Sequence, residues 1–341
     1  MSVRPKEREG GPAAVDGTDV PRALGASATA PAPAVFTVDV EDYYQVAAFR
    51  NLVRRRDWDW YPSRVEGNVA RLLDLCDEHG IVGMWFILGW EAERRPEMVR
   101  RIAARGHELG CHSYWHREIY NLAPEEFRED TRRAKAAIED AAGRAVVGYR
   151  APSFSITKRS LWALDILVEC GFTFDSSIFP VRHPNYGIPD APHYPHRLRT
   201  ASGSIWELPP ATAPLWGRRV AVAGGGYLRQ FPFSFVRAGL DRLTRGERHP
   251  AVLYVHPWEI DPGQPRLAAG WLTRQRHYRS LGRMSGRLAT LLGALQFCSA
   301  SALVRECRKT PGAAAMPAEA THRPEPARGA DGAHGVAGSI E

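Results

Sequence analysis

Five cysteines in 341 residues (Cys76, Cys111, Cys170, Cys298, Cys307) are odd in number and widely spaced. They exclude a disulfide framework, and with no Cys-x-x-Cys pair there is no zinc knuckle either. All five, Cys111 beside His112 included, read as reduced core thiols. No apolar run approaches the roughly 18 residues needed to cross a bilayer. The first 34 residues are rich in Ala, Pro, Gly and charge and lack the continuous apolar stretch of a secretory leader, so a cytoplasmic protein is expected. Internal repeats are absent. Gly224-Gly225-Gly226 has no P-loop lysine after it and no Gly-x-Gly-x-x-Gly spacing, so it reads as a loop that permits a turn. The net charge of +7 does not imply a nucleic-acid partner. The arginines are interleaved with acids, as in Arg128-Glu129-Asp130-Thr131-Arg132-Arg133, which is the pattern of a solvated helix face.

What is present is an ordinary globular composition, 44% hydrophobic and 24% charged, long enough for one main core of α/β-barrel size. Residues 1–33 and 310–341 are too poor in apolar side chains to offset their ordering entropy and are expected to be disordered tails. Between them, short apolar runs alternate with helical patterns. Val35–Asp39, Ile81–Leu88, His107–Cys111, Val146–Tyr149, Phe172–Phe174, Ile205–Leu208 and Ala251–Val255 read as strands. Helices are expected over 64–79, 96–105, 124–142, 158–170, 233–245 and 280–295, with Gly80, Gly106, Gly143 and Gly171 as stops. Such alternation argues for parallel strands with helices outside them.

Chemistry gathers at the ends of these runs. His112-Ser113-Tyr114-Trp115-His116 carries two histidines four apart, and Asp39-Val40-Glu41-Asp42 offers carboxylates. Two imidazoles and one carboxylate form the three-ligand set of a catalytic zinc-type site with a position left for water. Asp39, His112, Arg150, Asp175 and His256 each follow an apolar strand-like run, as active-site residues do at the C-terminal rim of an α/β barrel.

In order and spacing, Phe36-Thr37-Val38-Asp39, His112 to His116, Arg150-Ala151-Pro152, Asp175 and Val255-His256 resemble the motifs of the NodB-like polysaccharide deacetylases, carbohydrate esterase family 4. The fuller wording from Asp39 to Tyr44, from Tyr149 to Ser155 and from His256 to Asp261 resembles the subfamily encoded with exopolysaccharide and exosortase (PEP-CTERM) loci, which carries an extension after about residue 180. This resemblance implies a domain over residues 34–300 with an α/β fold, a distorted (β/α)7–8 barrel of the NodB type. It also implies removal of acetyl groups from an N-acetylated polysaccharide or oligosaccharide with a divalent metal, zinc or alternatively cobalt.

By the same resemblance His112, His116 and a carboxylate hold the metal, and Asp39 is the general base, pinned by a charge-assisted fork from Arg150. A backbone N–H near Ser153 would serve the oxyanion, His256 would protonate the leaving amine and Asp175 would orient His256. Trp258 or Tyr254 would wall the acetyl pocket. The sequence departs from the family in two places. Adjacent aspartates are replaced by Asp39-Val40-Glu41-Asp42, so the metal carboxylate is Asp42, the shorter and preferred choice, or alternatively Glu41. No tryptophan follows Asp175, where Ser176-Ser177-Ile178-Phe179 stands. Hydrolysis of another amide, as in the related allantoinases, and a non-catalytic glycan-binding role are the alternatives. A closed, arginine-rich pocket would suit a ureide; an open, aromatic one would suit a glycan.

Overall fold

Ala34–Val40 (β1) is buried along its whole length, as an apolar run must be when both faces of a strand are covered. The computed structural model describes residues 30–309 and the pair 316–317 around it. The remaining strands are β2 (Met84–Ile87), β3 (Glu108–Cys111), β4 (Gly148–Tyr149), β5 (Phe174–Asp175), β6 (His196–Thr200), β7 (Gly203–Glu207), β8 (Thr212–Leu215), β9 (Arg218–Ala221), β10 (Ala251–Val255) and β11 (Met316–Pro317). Helices α1 (Val65–Glu78), α2 (Gly89–Arg94), α3 (Pro96–Ala104), α4 (Pro124–Ala142), α5 (Ala163–Glu169), α6 (Gly225–Gln230), α7 (Phe233–Asp241), α8 (Trp271–Tyr278), α9 (Leu281–Leu292) and α10 (Ala300–Cys307) complete the set.

The main sheet runs β10-β1-β2-β3-β4-β5-β7-β6-β11 and is curled into a half-barrel. From β10 to β7 every pairing is parallel, and β6 joins β7 antiparallel. The ends of the curl meet through isolated contacts instead of a ladder. Pro210 bridges Val252, and the Ala211 N–H donates to the Val252 carbonyl at 3.0 Å. The expected α/β barrel is therefore present in a distorted, incompletely closed form.

Alternation along β1 sends Phe36 and Val38 into the outer core and Val35 into a second cluster inside the curl. There Val35 meets Met84, Phe86, Phe174, Trp206 and Val252. The interior is so full that a Cβ on Gly110 would strike the Phe86 ring and one on Gly148 the Phe174 ring. Leu303 and Val304 of α10, a helix not foreseen from the sequence, close the base of this cluster. The Ser301 N–H fixes α10 there by donating to Glu108 at the start of β3, 3.1 Å away.

Several boundaries differ from the expectations. The long helix Pro124–Ala142 is as expected, ended by Gly143 in the left-handed region at φ 67°. The helix expected over 158–170 shrinks to α5, preceded by a turn in which Ser160 Oγ accepts the Thr157 N–H at 2.9 Å. The Gly224–Gly226 stretch is not a loop: Gly224 caps α6 and Gly225 begins it. Most of the two expected tails lies outside the described residues. Two short pieces of them are ordered: the Ala32 N–H donates to Thr244, and β11 pairs with β6. No described helix is long and apolar enough to cross a membrane, and all five cysteines are free thiols.

Candidate active site

Period two continues past the end of β1 and decides which acids reach the interior. Thr37, Asp39 and Glu41 share one face, and Asp42 turns the other way. Asp42 is fully buried, but its carboxylate sits at the N-terminus of α1, accepting the Arg64 N–H at 2.7 Å, the Val65 N–H at 3.1 Å and the Ser63 hydroxyl at 2.7 Å. It is held as a helix cap, where anionic oxygen meets unpaired N–H groups. The preferred metal carboxylate of the sequence reading is thus not brought to the site, and the alternative, Glu41, is.

Glu41, His112 and His116 form a buried group whose ligand atoms all lie within 4.8 Å of one another. Glu41 Oε2 is 2.7 Å from His116 Nε2, yet accepts no hydrogen bond. Two lone-pair atoms this close and not aligned as donor and acceptor face a common point. His112 Nδ1 lies 2.8 Å from the Arg150 carbonyl, which fixes the tautomer and leaves Nε2 free as a donor atom. Burial pulls the His112 pKa down to about 4, so its imidazole is neutral. Burial alone would raise Glu41, but His116, His256 and His112 outweigh it and hold the carboxyl at about 2. A carboxylate oxygen and two imidazole nitrogens suit a borderline divalent cation.

A second group among the described residues, His193, Glu247 and His249, has comparable spacing. Its carboxylate is already met by Arg219, at 2.9 Å and 3.4 Å, whereas no Lys or Arg pairs with Glu41 among the described residues. The first group is therefore the better cation site.

The loop carrying the histidines is anchored from α4. Asp130 accepts the Tyr114 N–H at 2.7 Å and the Trp115 N–H at 3.3 Å, and Ser113 and His116 take positive φ values of 63° and 51°. Asp130 is buried, so the charge run at 128–133 is not the uniformly solvated face it resembled.

Arg150 is wholly buried and stacks over Phe86. Its Nη1 donates to Asp39 Oδ1 at 2.7 Å and to the Thr37 hydroxyl at 2.6 Å, while Nε and Nη2 go to Ser176, so the expected fork on Asp39 is a single contact. Asp39 Oδ2 is left facing His256 Nε2 at 3.9 Å, and that nitrogen is 3.6 Å from Glu41 Oε1. Burial would lower the His256 pKa, but Glu259, Glu41 and Asp39 raise it to about 9.

Asp175 does not orient His256. It accepts from Ser177 and couples to Glu207, its register partner on β7. The carboxylate against His256 Nδ1 is Glu259, at 3.2 Å. Sequence reasoning missed Glu259, Arg229 and Glu207. The one available signal was Glu259 three residues after His256 at a strand end. Trp258 stacks on His256 and donates to Glu41 Oε1 at 3.2 Å, while Tyr254 packs edge-on against Phe154. Ser153 and Phe154 have φ of 54° and 52° in the turn after Arg150. A cavity of about 200 Å³ beside His116 is lined by Tyr44, Trp58, Arg50, Arg54 and Arg55.

Residues 58–174 match the family described as polysaccharide deacetylase, and residues 176–305 match a domain of unknown function, DUF3473. The chain is 31% identical to the peptidoglycan-N-acetylglucosamine deacetylase of Bacillus cereus over 96 residues, 28% of this chain and 35% of that protein. It is 27% identical to a chitooligosaccharide deacetylase of Bradyrhizobium over 96 residues, 28% of this chain and 42% of that protein. The matched region thus spans less than half the length of these curated relatives. A solved structure from Mycobacterium smegmatis, assigned to the polysaccharide deacetylases, shares the fold at a TM-score of 0.57 and 22% identity, covering 85% of this chain and 94% of its own. His112, His116 and Arg150 fall in the first match, His256 in the second. Residues 58–174 are thus similar to the polysaccharide deacetylases, and the residues matched by the domain of unknown function bring His256 to the same site.

Proposed function

We propose that the protein is a metal-dependent hydrolase that removes N-acetyl groups from hexosamine units of an exopolysaccharide or of its precursor. The observation that carries this reading is a carboxylate and an imidazole, Asp39 Oδ2 and His256 Nε2, 3.9 Å apart beside a buried cluster of Glu41, His112 and His116. A base and an acid adjoining a cation site is what amide hydrolysis needs.

Glu41, His112 and His116 would hold the metal, zinc or cobalt. When bound, it supplies Lewis acidity toward the acetyl carbonyl and toward water. Asp39, steadied by Arg150 on one oxygen, takes the proton of the attacking water on the other. The backbone at Ser153 offers an N–H to the developing oxyanion. His256, protonated at neutral pH by its acidic neighbours, donates to the departing amine. Trp258 forms a wall beside His256.

The named relatives act on peptidoglycan N-acetylglucosamine and chitooligosaccharide, which supports an N-acetylhexosamine. The motif wording shared with exopolysaccharide and exosortase loci supports an exopolysaccharide. Hydrolysis of another C–N amide is favoured by one observation, the three arginines lining the cavity beside His116.

The deciding experiment measures acetate release from N-acetylated hexosamine oligosaccharides by chelated protein before and after zinc or cobalt, with Asp39→Asn as control and allantoin as a second substrate. Metal-dependent acetate that Asp39→Asn loses upholds the deacetylase. Turnover of allantoin alone moves the assignment to the other amide. Glycan binding with no turnover and no metal bound would leave a non-catalytic protein.

A further inference from the structure

Residues 176–305 have no assigned role, yet they carry a chain of buried polar groups that ends on His256. Glu259 Oε2 accepts both the His256 backbone N–H at 3.0 Å and, at 3.2 Å, the Nδ1–H. Its other oxygen accepts from Arg229 Nε at 3.0 Å. Arg229 is itself fixed: Nη1 donates to the carbonyls of His277 at 2.8 Å, Arg279 at 3.1 Å and Arg276 at 3.3 Å. Glu259 and Arg229 are 1% and 3% exposed, so neither is free to swing into solvent.

The backbone leaves room for this arrangement. A Cβ on Gly225 would overlap the Glu259 carboxylate, and one on Gly224 would overlap the Tyr254 ring. Neither glycine has a positive φ. The glycines are explained by close approach of α6 to Glu259 and Tyr254, not by a turn.

We propose that Glu259 and Arg229 are the positioning pair of His256, occupying the role for which Asp175 was expected, and that residues 176–305 exist in part to supply them. The inference rests on the deacetylase reading. An anionic Glu259 held by a guanidinium accepts Nδ1–H, which sets the imidazole so that Nε2 carries the transferable proton toward Asp39 and Glu41. Aim and tautomer are thus fixed before substrate arrives.

The test exploits leaving groups. An N-acetylhexosamine amide cannot expel its amine without a proton, whereas 4-nitrophenyl acetate expels a stable phenolate unaided. Glu259→Gln should lower kcat for the N-acetylated oligosaccharide ~100-fold with KM little changed, and leave metal-dependent 4-nitrophenyl acetate hydrolysis within about twofold. His256→Ala should lose the amide activity at least as far as Glu259→Gln does. Arg229→Lys should recover much of what Arg229→Met loses on the amide.

An equal loss on both substrates would mean that Glu259 only supports the fold, and would overturn the inference while leaving the deacetylase intact. An unchanged amide rate would overturn it as well. Wild-type protein that releases acetate from neither substrate would overturn the reading beneath it, and the inference with it.

Discussion

Asp175 and Glu207 face each other in register on adjacent parallel strands, both without solvent exposure. Each leaves one oxygen, Oδ2 and Oε2, without a hydrogen-bond partner. Two such oxygens on neighbouring buried acids are explained by a shared proton. Burial raises Asp175 to about 6, and burial together with the Asp175 charge pushes Glu207 well above the usual carboxyl range. A carboxyl whose pKa is raised by folding adds stability that is complete below its unfolded value, roughly 4, and is lost as pH climbs through its folded value. Stability should therefore fall as pH rises from about 5 past 6. Glu207→Gln keeps the size and a donor toward Asp175 without the second ionisation. It should match wild type in denaturant melts at pH 4.5 and exceed it by about 1 to 3 kcal/mol at pH 8. A stability difference that does not change with pH would refute the shared proton.

Glu41 and Asp42 make a second contrast, and its cause lies in the elements they serve. Glu41 continues the interior face of β1, while Asp42 caps α1. Glu41→Gln should abolish binding of the proposed metal, read by metal content after gel filtration, at little cost in stability. Asp42→Ala should retain the metal and lose about 1 to 2 kcal/mol, the usual cost of a lost cap. The opposite pattern would return the ligand role to Asp42. Helix α10 offers an element-scale test of the barrel base. Leu303 is 1% exposed among Val35, Met84, Phe174 and Val252, so Leu303→Ala should cost about 2 to 5 kcal/mol. Because α10 sits at the N-terminal ends of the strands, kcat should not change. A fall in kcat at full folding would place α10 in the working site after all.

For the molecule as a whole, the boundary between the two family matches at residues 174–176 is not a boundary between folding units. β10 lies beside β1, β7 beside β5, and α10 closes the interior from below. A chain ending at residue 175 would expose two sheet edges and an open core. It should show no cooperative unfolding by circular dichroism, while residues 30–309 should unfold in one transition. A cooperative melt from the shorter chain would show that the first match folds alone.

Strands, helices and the rim positions of Asp39, His112, Arg150 and His256 were legible in the sequence. Local patterns carry them: apolar runs of strand length, helical spacing closed by glycine, and a polar residue at the end of each run. Helix α10 and the ordering of Ala32 were not legible, because short segments of modest propensity are stabilised by what they pack against. The choice between Glu41 and Asp42 was open because it depended on whether β1 kept its alternation one residue beyond its end. The group that holds the partner of His256 was hidden for a different reason. Glu259 stands three residues from His256, but the Arg229 that fixes it is 30 residues from Glu259, and no local pattern announces that contact. Local pattern sets which residue types stand at the strand ends. Which of them share a face follows from packing, since burial leaves each carboxylate the partners its neighbours can offer: helix N–H groups for Asp42, imidazoles for Glu41, Glu207 for Asp175 and Arg229 for Glu259.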